Sequence, residues 1–524
     1  MKKHLVKVLT VCAIVIALTV QLCLFVFAGG EGFDPKTLTL QPGANTSSVN
    51  LNWYAEGTAT QGKVEFKDAD GKKITVDAKS SDTEFGEKAM KATVSGLKAG
   101  TNYKYKVSND NGTTWSKEYS FNAPKAGSFR FALVGDPQIK YKNDAHGLQA
   151  SDSAAFSSDK TVKQGWADTV KTIQSKNVNF IASVGDQVDT STKTVEEEYN
   201  GFFAPEFFRS NIIAPAVGNH DRHQGFINHY NLPNEQDVSD LIKIGVTPAA
   251  SEVTANRGNY FYRYNNALFV VLNDSPYPGN KEEAKPYIDA YRRTLEKATA
   301  ANKDAKWIFV QHHKSTASVA QHVADRDIQY YVEAGLENLF DEFNVDFVLA
   351  GHDHVYARSY VMKGGKRNSK PLNDYKNPDG RIYMTVNTGS GLKYYGIFSS
   401  KLYVKDNSDY PYLANGKTGS EEYMKKVFPL STHKAEQTRL PGYSIIEVTE
   451  NKVTFSTYST YDNVETMGDE TQATDVFSVS KVTDKVSTQK SDKKNPTTGI
   501  TLTGGAMIIL SLPIGAFIIK KRNN

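Results

Sequence analysis

The sequence predicts an all-β sandwich followed by a larger α/β domain in which helices cover packed sheets. Three observations predict it. Residues from about Pro35 to Ala123 read as short alternating strands broken by turn residues. From Ser128 onward, apolar strand segments alternate with helical stretches. Tyr and Phe are frequent, at 28 and 26, which suits strand positions. At 524 residues the chain is too long for one ordinary core. Its 39% hydrophobic and 23% charged content is that of a folded soluble protein.

In the front domain, expected at residues 34–124, Val49–Tyr54 and Gly62–Phe66 alternate. Asp68-Ala69-Asp70-Gly71 and Asn109-Asp110-Asn111-Gly112 are turn signals. Leu97–Tyr105 resembles the approach to a late strand of a fibronectin type III sandwich, which implies a Tyr hydroxyl bonded back to the backbone at that corner. Trp53 is expected in the core, as a structural rather than a ligand-binding aromatic. In the second domain, expected at 128–460, strands are predicted at Phe129–Val134, Phe180–Val184, Ile212–Val217, Leu268–Leu272, Trp307–Val310, Phe347–Leu349 and Ile382–Val386. Helices are predicted at about Thr161–Ser175, Lys281–Ala298 and Ile328–Phe343. Phe398–Leu440 lacks periodicity and reads as an insertion or long loops covering a site. Gly442–Val448 and Lys452–Tyr458 read as a closing hairpin, followed by a tail and linker over 461–494.

Both ends carry targeting patterns. Met1-Lys2-Lys3-His4, Lys7 and an apolar run ending near Ala28 read as a signal peptide over 1–28, with an uncleaved anchor as the plainer alternative. The two cysteines, Cys12 and Cys23, lie inside it, so the exported chain would hold no disulfide. At the other end, Asn495-Pro496-Thr497-Thr498-Gly499, an apolar span over 500–519 and Lys520-Lys521-Arg522 resemble a sortase sorting signal. The resemblance implies cleavage after Thr498 and sortase and peptidoglycan as partners; a simple membrane anchor is the alternative. The two ends carry six Lys or Arg residues and no acids, so the formal +4 charge becomes slightly negative without them. Charge gives no argument for a nucleic-acid surface.

Five segments end apolar runs with metal-ligand residue types. They are Val134-Gly135-Asp136-Pro137-Gln138, Val184-Gly185-Asp186, Val217-Gly218-Asn219-His220-Asp221, Val310-Gln311-His312-His313 and Ala350-Gly351-His352-Asp353-His354. Oxygen and nitrogen donors of this kind suit borderline cations. Each sits where a predicted strand ends, the usual ligand edge of an α/β sheet. In this order the segments resemble calcineurin-like metallophosphoesterases and, with the sandwich in front, the purple acid phosphatases. The resemblance implies a four-layer α-β-β-α domain holding two metal ions, Fe, Zn or Mn. It implies Asp136 and His354 on the first metal, Asp186 bridging, and Asn219, His313 and His352 on the second. It departs at Asp189, where purple enzymes carry a Tyr, and at Gln138, a candidate further ligand; the bland readings are a backbone-bonding Asp189 and a loop-turning Gln138.

By the same resemblance, hydroxide between the metals attacks a phosphate ester in line. His220 is the candidate acid and substrate contact, Asp221 the group orienting its ring, and His312 a candidate substrate contact. His146, His223, His229 and His322 default to surface residues, and Gly389-Ser390-Gly391 to a turn. The function expected is an exported, wall-attached phosphomonoesterase. The alternatives are a phosphodiesterase or nucleotide hydrolase on the same site, or a surface adhesion protein using the sandwich.

Overall fold

The computed structural model describes residues 32–482 apart from 60, 141–160, 190–193, 222, 237–242, 245–256, 321, 323–324, 392, 396–431, 439 and 461–472. The signal and sorting segments, His146 and most of 398–440 lie outside the described residues. Among the described residues no helix is long and apolar enough to cross a membrane.

The front domain has seven strands: β1 (Lys36–Pro42), β2 (Ser48–Ala55), β3 (Gly62–Lys67), β4 (Lys73–Asp82), β5 (Lys88–Ser95), β6 (Asn102–Ser108) and β7 (Tyr119–Asn122). The first half of β4 pairs with β3 and its second half with β5, so one long strand turns the corner between two faces. Alternation sends Val64, Phe66, Tyr103, Tyr105 and Val107 inward onto Leu51, Trp53 and Val94. Trp53 is buried, and its ring N–H donates to Asn109 at 2.8 Å. The Tyr103 hydroxyl accepts the Lys98 backbone N–H at 3.0 Å, fixing the corner before β6.

The second domain continues with β8 (Phe129–Val134), α1 (Val162–Ser175), β9 (Phe180–Ser183), α2 (Val195–Phe202), a 3-10 turn (Glu206–Arg209), β10 (Ile212–Pro215) and α3 (Gln224–His229). A second run holds β11 (Tyr260–Tyr264), β12 (Ala267–Val271), α4 (Lys281–Ala301), β13 (Trp307–Lys314), α5 (Arg326–Glu333), α6 (Leu336–Glu342) and β14 (Phe347–Gly351). The remaining described elements are all strands: β15 (Tyr356–Ser359), β16 (Met362–Lys363), β17 (Lys366–Arg367), β18 (Asp374–Lys376), β19 (Ile382–Thr385), β20 (Thr432–Glu436), β21 (Gly442–Val448), β22 (Lys452–Ser459) and β23 (Asp475–Ser480).

Two sheets result. One runs β18-β23-β22-β21-β8-β9-β10 and continues through a parallel β10–β1 pairing into the sandwich; the other runs β11-β12-β13-β14-β19-β15-β20. Their facing sides interdigitate: Phe131 stacks on Phe180 at 5.0 Å and meets Phe269 edge-on at 5.3 Å, and Phe269 stacks on Phe309 at 4.8 Å. Neighbouring residues point the other way. Ala132 and Val134 pack with Trp166 and Ile173 of α1, while Leu268, Val270 and Val310 pack with Tyr291 and Leu295 of α4 and Phe340 of α6. A period of two thus assigns each strand residue to an inter-sheet or a helix-side core.

Three expectations need correction. The helix predicted over Ile328–Phe343 is two helices, because Gly335 adopts a left-handed φ of 106° between them. Residues 432–436 form the edge strand β20 rather than a loop. The domain does not stop at 460: β23 pairs with both β22 and β18, so part of the expected linker is sheet.

Candidate metal centre

The ligand-type residues gather at the carboxyl ends of β8, β9, β10, β13 and β14. Each chain turns sharply there. Asp136, Gln138, Asp186, His352 and His354 all have left-handed φ, between 41° and 69°. Non-glycine residues hold that conformation only where surroundings enforce it. Glycines make the room: a Cβ on Gly218 would collide with the Asp186 carboxylate, and one on Gly351 with that of Asp136.

The donor atoms converge. His313 Nε2 lies 3.0 Å from Asn219 Oδ1, 3.2 Å from His352 Nδ1 and 3.3 Å from Asp186 Oδ2. Two ligand atoms about 2.1 Å from one cation stand roughly 3.0–3.4 Å apart, so these spacings fit a shared ion. His354 Nε2 approaches Asp136 Oδ1 at 3.5 Å, and Asp136 Oδ1 is 3.9 Å from His313 Nε2. Asp186, His313 and His352 are buried and could hold a metal ion together.

Outer contacts aim these groups. His313 Nδ1 donates to the Val184 carbonyl at 2.8 Å and His354 Nδ1 to the Lys393 carbonyl at 2.7 Å, which turns each Nε2 inward. Asp136 accepts the His352 backbone N–H, and Asp186 accepts that of His220 at 2.8 Å. Gln138 is buried, with Nε2 3.3 Å from Asp186 Oδ2 and Oε1 without a hydrogen-bond partner. An orphaned buried carbonyl oxygen on a side chain beside the Asp186 carboxylate fits a cation site.

The electrostatics agree. Burial pushes the Asp186 carboxyl up, but His313 and His220 outweigh it and hold it well below the carboxylate range. Burial pulls His313 down, and Asp186 and Asp136 overcome that, raising it to about 10. Without a metal, the carboxylates demand a positive charge where the donor atoms meet.

The other expected residues divide. His220 has its Nδ1–H directed to the Asp189 carbonyl at 3.2 Å, with Nε2 3.9 Å from Asp186 Oδ2. Asp221 does not orient that ring. Its carboxylate accepts the backbone N–H groups of Gly218 at 2.9 Å, Gln187 at 3.0 Å and Val188 at 3.4 Å, tying the β9 and β10 loops together. Burial and then Asp186 push its carboxyl up to about 8. His312 is no substrate contact: it is buried on the helix side, Nδ1 bonded to Asp274 at 2.7 Å. Asp274 also accepts the backbone N–H groups of His313 and Lys314, where β13 slips register against β14. Alternation along β13 continues through that slip and points His313 inward while His312 keeps to the outer face. Asp189 lies beside His220, its carboxylate 3.5 Å from Lys140 Nζ.

Sequence reasoning missed His322, Tyr395, Asp353 and Asp274. The His322 ring packs 4.4 Å from the His352 ring and 4.8 Å from Tyr395, whose ring is 5.0 Å from His354. Asp353 accepts the His322 backbone N–H at 2.9 Å, and Asp325 holds the His322 Nδ1 at 2.7 Å. His229 and His223 are not surface residues either: the His229 ring stacks on Tyr54 of the sandwich at 4.4 Å, and His223 packs edge-on against Tyr199. The Gly389-Ser390-Gly391 turn braces the centre, since Thr388 donates to the Asp136 carbonyl and Ser390 to the Pro137 carbonyl.

A strand-end cluster of this kind, on paired sheets flanked by helices, defines a metal-dependent phosphoester hydrolase. Residues 129–356 match the family model described as calcineurin-like phosphoesterase, and residues 35–123 match the purple acid phosphatase N-terminal domain. Among solved structures, a purple acid phosphatase from yellow lupin (Lupinus luteus) seeds is 15% identical, with 86% of this chain and 75% of that one covered at a TM-score of 0.58, and it shares the fold. The anchor protein of the Plasmodium inner membrane complex is 14% identical over 68% of this chain and 90% of its own, at a TM-score of 0.36. No curated protein matches the chain. The Asp and His groups gathered here could bind metals.

Proposed function

We propose that this protein is an exported, surface-attached phosphatase that releases phosphate from monoesters outside the cell. The observation that carries the catalytic part is the convergence of Asp136, Asp186, Asn219, His313, His352 and His354 from five strand ends onto one buried locus. Asp136 and His354, with Gln138 beside them, would hold one ion; Asn219, His313 and His352 another; and Asp186 would serve both. When bound, such a pair supplies Lewis-acid polarisation of the phosphoryl group and a nucleophile at moderate pH.

The chain's own residues supply the rest. His220, set by the Asp189 carbonyl, presents Nε2 on the Asp186 side and is placed to protonate a leaving alcohol. His322, fixed by Asp325 and Asp353, stands beside His352, where it can donate to a phosphoryl oxygen. Asp189 occupies the position of the purple enzymes' Tyr and pairs with Lys140, so the iron-tyrosinate colour is not expected. Export and attachment rest on the sequence alone, on residues 1–28 and 495–524.

The test compares p-nitrophenyl phosphate with its bis ester, using purified protein loaded with Mn, Zn or Fe. Faster monoester turnover supports the proposal; faster diester turnover would replace it with a phosphodiesterase. Cell fractionation before and after removal of residues 495–524 tests attachment. An unchanged distribution would exclude the anchoring role.

A further inference from the structure

Alternation in β3, β4 and β6 buries Val64, Phe66, Tyr103, Tyr105 and Val107 in the sandwich. The opposite face therefore carries Lys63, Glu65 and Lys67 of β3, Lys73, Thr75 and Asp77 of β4, and Lys104 and Lys106 of β6. Lys67, Lys73, Thr75, Asp77 and Lys104 are exposed, so among the described residues no other element covers the centre of this face. The register sets Lys67 directly opposite Lys73 on one side and Lys104 on the other. Three lysines thus stand abreast on strands about 4.8 Å apart, an arrangement that opposes folding by charge repulsion.

Neutralisation is incomplete. Glu65 is shared between Lys73 at 3.0 Å and Lys106 at 3.4 Å, and Asp77 lies 3.9 Å from Lys63. Lys104 donates to the Ser120 hydroxyl at 2.9 Å rather than to a carboxylate, and Lys67 has no carboxylate within ion-pair distance among the described residues. The chain without its two ends is close to neutral, so this positive face is a local concentration and not a share of general basicity.

We propose that this sheet face docks a linear phosphodiester polymer. Charge complementarity selects a polyanion. The face is flat, and its ammonium groups are exposed and screened. A single small anion would gain little there, while a repeating one engages several lysines at once and releases its counterions. A base-bearing strand fits less well, because proteins of that kind stack successive bases on several exposed rings. Here the ring at the margin, Trp115, is half-buried and already covered by the Lys106 ammonium at 4.6 Å. The inference rests on register and charge, and stands whether or not the metal centre prefers monoesters.

The experiment measures binding of labelled poly(glycerol phosphate) and of oligothymidylate of equal length to the full-length protein across a salt series. The polymer should bind with a steep salt dependence. Lys67→Glu/Lys104→Glu should weaken binding at least tenfold and lower the salt slope by about two, with p-nitrophenyl phosphate hydrolysis unchanged. Lys281→Glu/Lys285→Glu, an equal charge change on exposed positions of α4, should bind as wild type does. No binding at about 50 mM salt, equal loss in both double variants, an unaffected Lys67→Glu/Lys104→Glu protein, or tighter binding of oligothymidylate would each overturn the proposal.

Discussion

Asp136, Gln138, Asp186, His352 and His354 are held in left-handed backbone conformations, and their carbonyl and amide partners come from neighbouring strand ends. Strain of that kind persists only where several contacts over-determine it, so single removals here should act on binding and catalysis more than on fold. Asp186→Ala is expected to lower kcat at least about 1,000-fold and to release metal, measured by turnover together with elemental analysis. Asp353→Ala predicts a different signature. It frees the His322 loop from the ligand turn, so kcat/KM for p-nitrophenyl phosphate should fall about 10- to 100-fold with metal content retained. Loss of metal in that variant would show that Asp353 instead holds the ligand turn itself. The ligand set was legible because short motifs closing apolar runs reveal both residue type and strand context. His322 and Tyr395 were not, since each reaches the centre from a loop whose course no local pattern encodes. His312 was misread because β13 does not end before it: alternation runs on to Lys314 and carries His312 to the helix side.

At the scale of elements, the sandwich meets the segment that follows the His220 loop. Asn52 and Asn50 donate to the carbonyls of Asn228 and Asn231, Tyr54 caps Glu196 of α2 at 3.1 Å, and Lys91 of β5 donates to the Ile227 carbonyl. Burial holds the Lys91 ammonium down at about 8, below its usual 10.5. A depressed lysine binds fewer protons folded than unfolded, so it contributes stability present above pH 10.5 and lost as pH falls through 8. Lys91→Met should therefore remove a stability rise of about 3 kcal/mol between those pH values, seen as the difference between urea midpoints of variant and wild type. Parallel curves would mean that Lys91 is solvated in solution. These contacts could not be read from sequence, because each joins groups more than 100 positions apart. The strands themselves could: six of the seven predicted in the second domain begin on the residue where the structure begins them, and the seventh, predicted from Leu268, begins one residue earlier at Ala267.

For the whole molecule, the parallel β1–β10 pairing merges sandwich and catalytic sheet into one fourteen-stranded sheet. The two domains expected from sequence should unfold together, in a single calorimetric transition; two separated transitions would show that the joint is weak. Deleting residues 32–123 should expose the β10 edge and the His229 ring and yield aggregated protein rather than an active fragment. Composition and periodicity revealed that there were two domains, but nothing in them signals a shared edge. The central claim, a two-metal phosphoester hydrolase, is tested most directly by elemental analysis of active, purified protein. The account predicts about two metal ions per chain, with loss of metal and turnover together in Asn219→Ala and His352→Ala. Full activity with fewer than one metal ion per chain, or turnover surviving in both variants, would contradict it.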